Sequence, residues 1–218
     1  MRNSMLQFKV AKRQRADSFS TQVEGRLLAG CHLDPSSLSV LQTRKIHEEL
    51  TYQPKATGMV ATQPPAPVLA YHTGADGSFV LPRCYGVRKL REMGMSVDAS
   101  GLREGDPLAA VFSSPGGGLL DRQEEAAAQT LSALQAFPYA AMLVLPCGFG
   151  KTVVALWLAA QLGRKTLVGV HKEFLMEQWR DRIVSFVHGA RVGTIQGNKV
   201  DADGKDFVIA MIQSLAGR

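Results

Sequence analysis

Apolar and polar positions alternate in two different regimes along this chain. From about residue 119 onward, short apolar runs are separated by polar or glycine-rich breaks. The runs 140–145, 165–170, 191–195 and 207–212 read as four strands, the first two buried. The intervening segments carry helical patterns. Asp121 to Phe137 is rich in Ala and Leu and is stopped by Pro138. Val153 to Leu162 is apolar on every side, which predicts a buried helix, and Gly163 ends it. Glu173 to Val187 is amphipathic, with Leu175, Trp179, Ile183 and Val187 spaced four apart, and Trp179 is expected in the core. Strands alternating with helices predict an α/β fold with a parallel sheet, whose ligands sit at the carboxyl ends of the strands. Gln196 to Asp206 is expected to be a polar loop, and no internal repeat is visible.

The pattern before residue 119 is weaker. Met1 to Thr43 holds a basic cluster (Lys9, Lys12, Arg13, Arg15) and then small residues, and reads as a poorly structured, solvated tail rather than a transit peptide. Arg44 to Leu50 offers one or two helical turns, which Pro54 stops. Gln63 to Pro67 is a stiff spacer. Val68–Tyr71 and Ser78–Leu81, flanking Gly74 to Gly77, predict a hairpin, and Val87 to Met93 a short helix closed by Gly94. Gly101 to Gly118 is loop-rich. The expected organisation is a basic tail over 1–43, a small irregular α+β region over 44–118, and the α/β unit over 119–218.

Composition adds limits. The chain has 218 residues, 45% of them hydrophobic, and no apolar run long enough to span a membrane as a helix. A net charge of +6, from 25 Lys+Arg against 19 Asp+Glu, permits a polyanionic partner. Cys31, Cys84 and Cys147 form neither a metal pair nor a disulfide framework, which fits a reducing compartment. The expectation is an intracellular protein of nucleus or cytoplasm, not secreted.

The candidate chemistry centres on Pro146-Cys147-Gly148-Phe149-Gly150-Lys151-Thr152, between an apolar run and a helix start. Gly148 and Gly150 let the backbone come close to an anion, and the following helix directs free N–H groups at it. Lys151 can reach β- and γ-phosphates, and the Thr152 hydroxyl can hold Mg²⁺, which makes ATP with Mg²⁺ the expected ligand. His171 and Lys172 follow the second strand, and Gln213 and Ser214 follow the fourth. All four therefore fall on the sheet edge that carries Lys151, where they can bond a nucleic-acid backbone without reading bases.

Leu119-Leu120-Asp121-Arg122-Gln123, the Leu145–Thr152 stretch, Val170-His171-Lys172 with Gln178-Trp179, and Ile212-Gln213-Ser214-Leu215 resemble superfamily 2 helicases in order and spacing. The Leu-Pro-Cys-Gly form is similar to the XPB-like branch. Pro82-Arg83-Cys84-Tyr85-Gly86 and Val-His-Lys…Gln-Trp look like the DEAD-like helicases of large DNA viruses. The resemblance is dense over 119–218 and thin over 44–118. It implies a RecA-like first helicase domain and ATP-driven unwinding of, or movement along, nucleic acid, DNA being favoured over RNA. Carried over by position, Pro146 to Thr152 would bind nucleotide, and Gln123 would recognise adenine. His171, Lys172, Gln213 and Ser214 would contact the nucleic-acid backbone. Two departures stand out. Leu120 and Arg122 replace the Arg and aromatic residue that often precede such a Gln. No Asp-Glu dipeptide occurs anywhere, so the acidic motif that anchors Mg²⁺ and positions water is missing. The chain is therefore read as the N-terminal part of a helicase, with no complete catalytic set, whose remaining domain comes from downstream sequence or another chain. The alternatives are a non-catalytic nucleotide- or nucleic-acid-binding module and another phosphate-loop enzyme such as a nucleotide kinase.

Overall fold

The computed structural model describes residues 25–27, 30–54 and 65–216. They divide into two units, 1–101 and 102–218, so the boundary lies before the glycine-rich stretch and not after it. The basic cluster of residues 9–15 and most of the proline spacer lie outside the described residues.

In the first unit, β1 (Gly25–Leu27) and β2 (Cys31–Leu33) pair antiparallel. This corrects the expectation of an unstructured tail to Thr43. Cys31 and Leu33 are buried with His32 between them partly exposed, the period of a half-buried strand. Helix α1 (Val40–Leu50) starts earlier than its apolar spacing suggested, because Ser39 caps it: Gln42 N–H donates to Ser39 Oγ, and Ser39 N–H donates to Gln42 Oε1. Strands β3 (Thr51–Tyr52) and β4 (Val68–Leu69) pair with each other. The expected hairpin instead joins β5 (His72–Thr73) to β6 (Phe79–Leu81), so its turn stands where predicted but Val68 and Leu69 have a different partner. Helix α2 (Arg83–Glu92) and β7 (Val97–Asp98) complete the unit. Its sheet runs β5-β6-β2-β1-β7, and its core is Cys31, Leu33, Ile46, Leu50, Leu81, Val87 and Leu90. Lys89, buried on α2, donates to both Glu49 carboxylate oxygens at 2.6 and 2.7 Å, and Tyr85 donates to Glu49 at 2.8 Å. Those donors hold the Glu49 carboxyl below its usual range.

The second unit begins with β8 (Val111–Phe112), which pairs with β10 (Val187–His188). Helix α3 (Asp121–Gln135) precedes the phosphate turn and α4 (Lys151–Leu162) follows it. Then come β9 (Thr166–Val170), α5 (Glu173–Phe186), β11 (Val192–Gln196), β12 (Lys199–Asp201), β13 (Phe207–Met211) and α6 (Ile212–Ala216). The sheet order is β12-β11-β13-β9, with β9, β13 and β11 parallel. This is the expected mixed α/β unit, in keeping with part of a RecA-like domain. The supposed loop 196–206 contains β12, antiparallel to β11.

The run 140–145 is corrected as well. Among the described residues it pairs with no strand, and Met142 and Val144 are 90% and 82% exposed. Its other side is partly covered, Leu143 packing beside Trp157 against Ala127, Val154 and Leu158. The main core gathers Leu156 and Ala159 of α4, Met176 and Ile183 of α5, and Val168, Val170, Phe207 and Ile209 of the sheet. Burial of each large side chain there contributes roughly 1.5–3 kcal/mol. Trp179 packs against this cluster, as expected of a core residue. The buried Asp206 carboxylate accepts from Arg191 N–H and Nε at 2.9 Å each and from Arg191 Nη2 at 3.1 Å, which fastens the start of β13 to the entry of β11.

Candidate functional site

The glycine-rich turn lies before α4 and is held by α3. Gly150 caps α4 with φ +89° and Gly148 has φ +75°, conformations that side chains other than glycine rarely adopt. At Gly150 there is also no room: a Cβ would come within 2.4 Å of Gln123 Nε2. That amide is 3% exposed, accepts from Leu120 N–H at 3.0 Å through Oε1, and donates to the Phe149 carbonyl at 2.7 Å through Nε2. The Arg122 guanidinium lies 5.6 Å from the Phe149 ring centroid. One turn of α3 thus grips the residue between the two glycines from both its backbone and its ring. Lys151 Nζ donates to the Leu145 and Pro146 carbonyls, both at 3.0 Å, so the ammonium lies across the turn. Cys147 is exposed, and Thr152 is half-buried. Pro146 to Thr152 form the turn and the first residues of α4. Gln123 joins them as a support of the turn. Arg122, a supporting residue that sequence reading missed, sits one place from the motif Gln.

The glycine conformations, the helix start and the Lys151 ammonium fit a polyphosphate. For Mg²⁺ the turn offers the Thr152 hydroxyl, with phosphate oxygens and water as the remaining ligands such an ion takes. Among the described residues, no group of three or more His, Cys, Asp or Glu could hold a metal ion by itself.

A second cluster occupies the carboxyl ends of β9, β11 and β13. Gln213 Nε2 donates to the His171 carbonyl at 3.3 Å. Gly197 N–H donates to Ser214 Oγ at 2.8 Å. Gln196 Nε2 donates to Glu173 Oε1 at 3.0 Å. These three bonds tie the ends of the three strands into a closed belt, in which the predicted His171, Lys172, Gln213 and Ser214 are neighbours. His171 and Lys172 are exposed. Gln196 and Gly197 are additions that a polar-loop reading had hidden, and Glu173 is a third, read from sequence only as a helix start.

Taken together, a glycine-rich turn before α4 and a polar belt at one edge of a parallel sheet define a phosphate-loop α/β unit of RecA-like kind. Residues 117–218 match the family described as "Type III restriction enzyme, res subunit". A 75-residue stretch, 34% of this chain, is 45% identical to the "Putative ATP-dependent RNA helicase" of Acanthamoeba polyphaga mimivirus, covering 14% of that protein. Proteins named "Putative helicase" from Frog virus 3 and Invertebrate iridescent virus 3 are 39% and 37% identical over 77 and 59 residues. Those matches cover 35% and 26% of this chain and 18% of each viral protein. Over residues 117–218 the chain is thus similar to that family and, in part, to proteins named as helicases from three viruses. The chain spans only 14–18% of the length of these curated relatives. No helix among the described residues is long and apolar enough to cross a membrane.

Proposed function

We propose that this chain is the ATP-binding portion of a superfamily 2 helicase, acting on nucleic acid within a longer assembly of helicase domains. The observation that carries the reading is the turn: two positive-φ glycines flank Phe149, whose carbonyl accepts from the Gln123 amide, and Lys151 reaches back to the Leu145 and Pro146 carbonyls. Gly148 and Gly150 would let backbone N–H groups reach the phosphates. Lys151 would exchange its two carbonyl bonds for β- and γ-phosphate oxygens, and Thr152 would supply one ligand to Mg²⁺, which neutralises phosphate charge when bound. Gln123 would act first as a positioning residue for the turn. Its second amide hydrogen is the group through which it could also meet an adenine edge.

His171, Lys172, Gln213 and Ser214 would form a backbone track. Such a track is indifferent to base sequence and weakens steeply with salt. A DNA partner is favoured by the viral kinship, while the name of the mimivirus relative points to RNA, so both polymers belong in the assay. The direct test is retention of a fluorescent ATP analogue. Lys151→Ala should abolish it, because the phosphates lose their mobile cation. Equal retention by both proteins would remove the phosphate-loop assignment.

A further inference from the structure

The β11–β12 hairpin carries chemistry that the helicase motifs do not use. Gln196 and Lys199 are register partners, so the loop is only Gly197-Asn198. Gly197 has φ +53° while Asn198 does not enter the positive region, the signature of a hairpin turn with glycine first. Such a turn is short and stiff. Its β11 side is also anchored, Gly197 N–H donating to Ser214 Oγ and Gln196 Nε2 to Glu173 Oε1. Residues directly opposite in a hairpin point to the same face. Lys199 therefore shares the face on which Gln196 reaches Glu173, the residue next to Lys172. Lys199 is exposed and makes no ion pair among the described residues, whereas Lys205, nearby in sequence, is paired with Asp201 at 3.2 Å.

We infer that this hairpin is an additional arm of the nucleic-acid track, with Lys199 engaging a backbone phosphate beside Lys172 and Asn198 available for a second polar contact. The inference rests on the proposed nucleic-acid role of the belt and extends it to residues outside the motifs. Glu173 is the belt's one carboxylate. It orients the hairpin through Gln196 while repelling the phosphate that Lys199 attracts, so it sets how tightly the arm can bind.

The test is a salt titration of fluorescein-labelled oligothymidine, and of a duplex of equal length, against the 218-residue chain. Each lysine–phosphate contact contributes about 0.7 (single strand) to 0.9 (duplex) to the slope of log K against log salt. Lys199→Ala should therefore lower the slope by about that amount and weaken binding roughly five- to eightfold near 0.1 M salt. Lys199→Arg should retain the slope, and Lys205→Ala should leave it unchanged. Glu173→Gln keeps an acceptor for Gln196 and removes the charge, so it should tighten binding. If Lys172→Ala lowers the slope and Lys199→Ala does not, the hairpin arm is wrong and the track survives. If Lys205→Ala matches Lys199→Ala, the effect is mere net charge and the inference falls. Should neither polymer bind in a salt-dependent way, the nucleic-acid reading itself fails and takes the arm with it.

Discussion

Gln123→Glu changes one atom and asks whether the amide supports the phosphate turn. The side chain has almost no solvent exposure, and its two bonds have opposite sense: Oε1 accepts from Leu120 N–H, and Nε2 donates to the Phe149 carbonyl. A glutamate keeps the first. When ionised it loses the second and sets a carboxylate oxygen against a carbonyl oxygen. A buried acceptor left without its donor costs about 1–3 kcal/mol, and the buried charge adds to this. When protonated, however, the glutamic acid can donate through its O–H, and the bond to Phe149 returns. Burial and the facing carbonyl raise the folded-state pKa of this glutamate above its unfolded value of about 4.3. The stabilisation is therefore present below about pH 4 and is lost as pH rises through the folded pKa. Urea unfolding of wild type and variant across pH 3.5–8, taken as a difference so that other titrations cancel, should show a deficit of about 1–3 kcal/mol at pH 7 that closes in acid. The variant should also lose the ATP analogue at pH 7, since the turn it holds is the proposed binding element. A deficit that does not change with pH would refute the bond to Phe149, and unaltered stability together with unaltered nucleotide retention would refute the supporting role.

Gly150→Ala should abolish nucleotide retention, because the new Cβ meets Gln123 Nε2 in a conformation already unfavourable for alanine; normal binding would count against the turn geometry. Asp206→Ala should destabilise the second unit by about 1–3 kcal/mol, since Arg191 N–H loses its acceptor inside the fold. The hydrogen bonds from Arg191 hold the Asp206 carboxyl below its usual range, so its contribution is present above the unfolded value near pH 4 and is lost as pH falls through the lower folded value; a denaturation difference that is flat down to pH 2 would contradict this. Alkylation of the exposed Cys147 should be slowed by saturating ATP while the exposed Cys84 serves as reference; Cys31, buried with its thiol pushed up to about 11, should stay unlabelled, and identical Cys147 rates with and without ATP would oppose the site. The 218-residue chain should hydrolyse ATP no faster than its Lys151→Ala variant, because its sequence holds no Asp-Glu pair to position water; turnover stimulated by DNA or RNA and lost in that variant would show that another carboxylate completes the site.

What was legible in the sequence was whatever depends on local pattern. Helix α4 and strands β9 and β13 were visible because their apolar runs are continuous and their ends are punctuated, α4 by Gly150 and Gly163. The glycine-rich turn was visible because Gly148 and Gly150 mark it, and both take positive φ. Strand pairing was not legible, because it depends on residues far away in sequence. Val68 and Leu69 have strand composition, but β3 and not β6 pairs with them. The run 140–145 is as apolar as any strand here, yet among the described residues no strand pairs with it. Strand β12 was hidden by its polar Lys and Asp; the two-residue Gly197-Asn198 turn was the available signal. Gln123 was found by motif position, but its bond to Phe149 requires knowing that α3 lies against the turn.

The arrangement also says where the two clusters of the second unit can communicate. The turn is supported by α3, and the polar belt by the parallel strands, α5 and α6. Helix α4 is common to both cores. Val154 and Leu158, four apart, pack with Ala127 of α3, whereas Leu156 and Ala159, three apart, pack into the sheet core with Phe207 and Ile209. Apolarity on every side, which first marked α4 as buried, is thus the consequence of serving two cores at once. Close-packed interiors transmit small displacements because they have little void to absorb them. A shift of α4 that follows phosphate contact at Lys151 would reach the β9 and β13 ends through Leu156 and Ala159, since the residues that anchor His171 and Gln213 stand on those same strands or just beyond them. The belt would then pass the movement to the β11–β12 hairpin through Ser214 and Gly197. Coupling of this kind needs no contact between nucleotide and nucleic acid. It would need two arrangements of α4 that the ligands favour differently; the burial of Val154 and Leu156, at 0% and 1% exposure, supplies the packed link between the two cores.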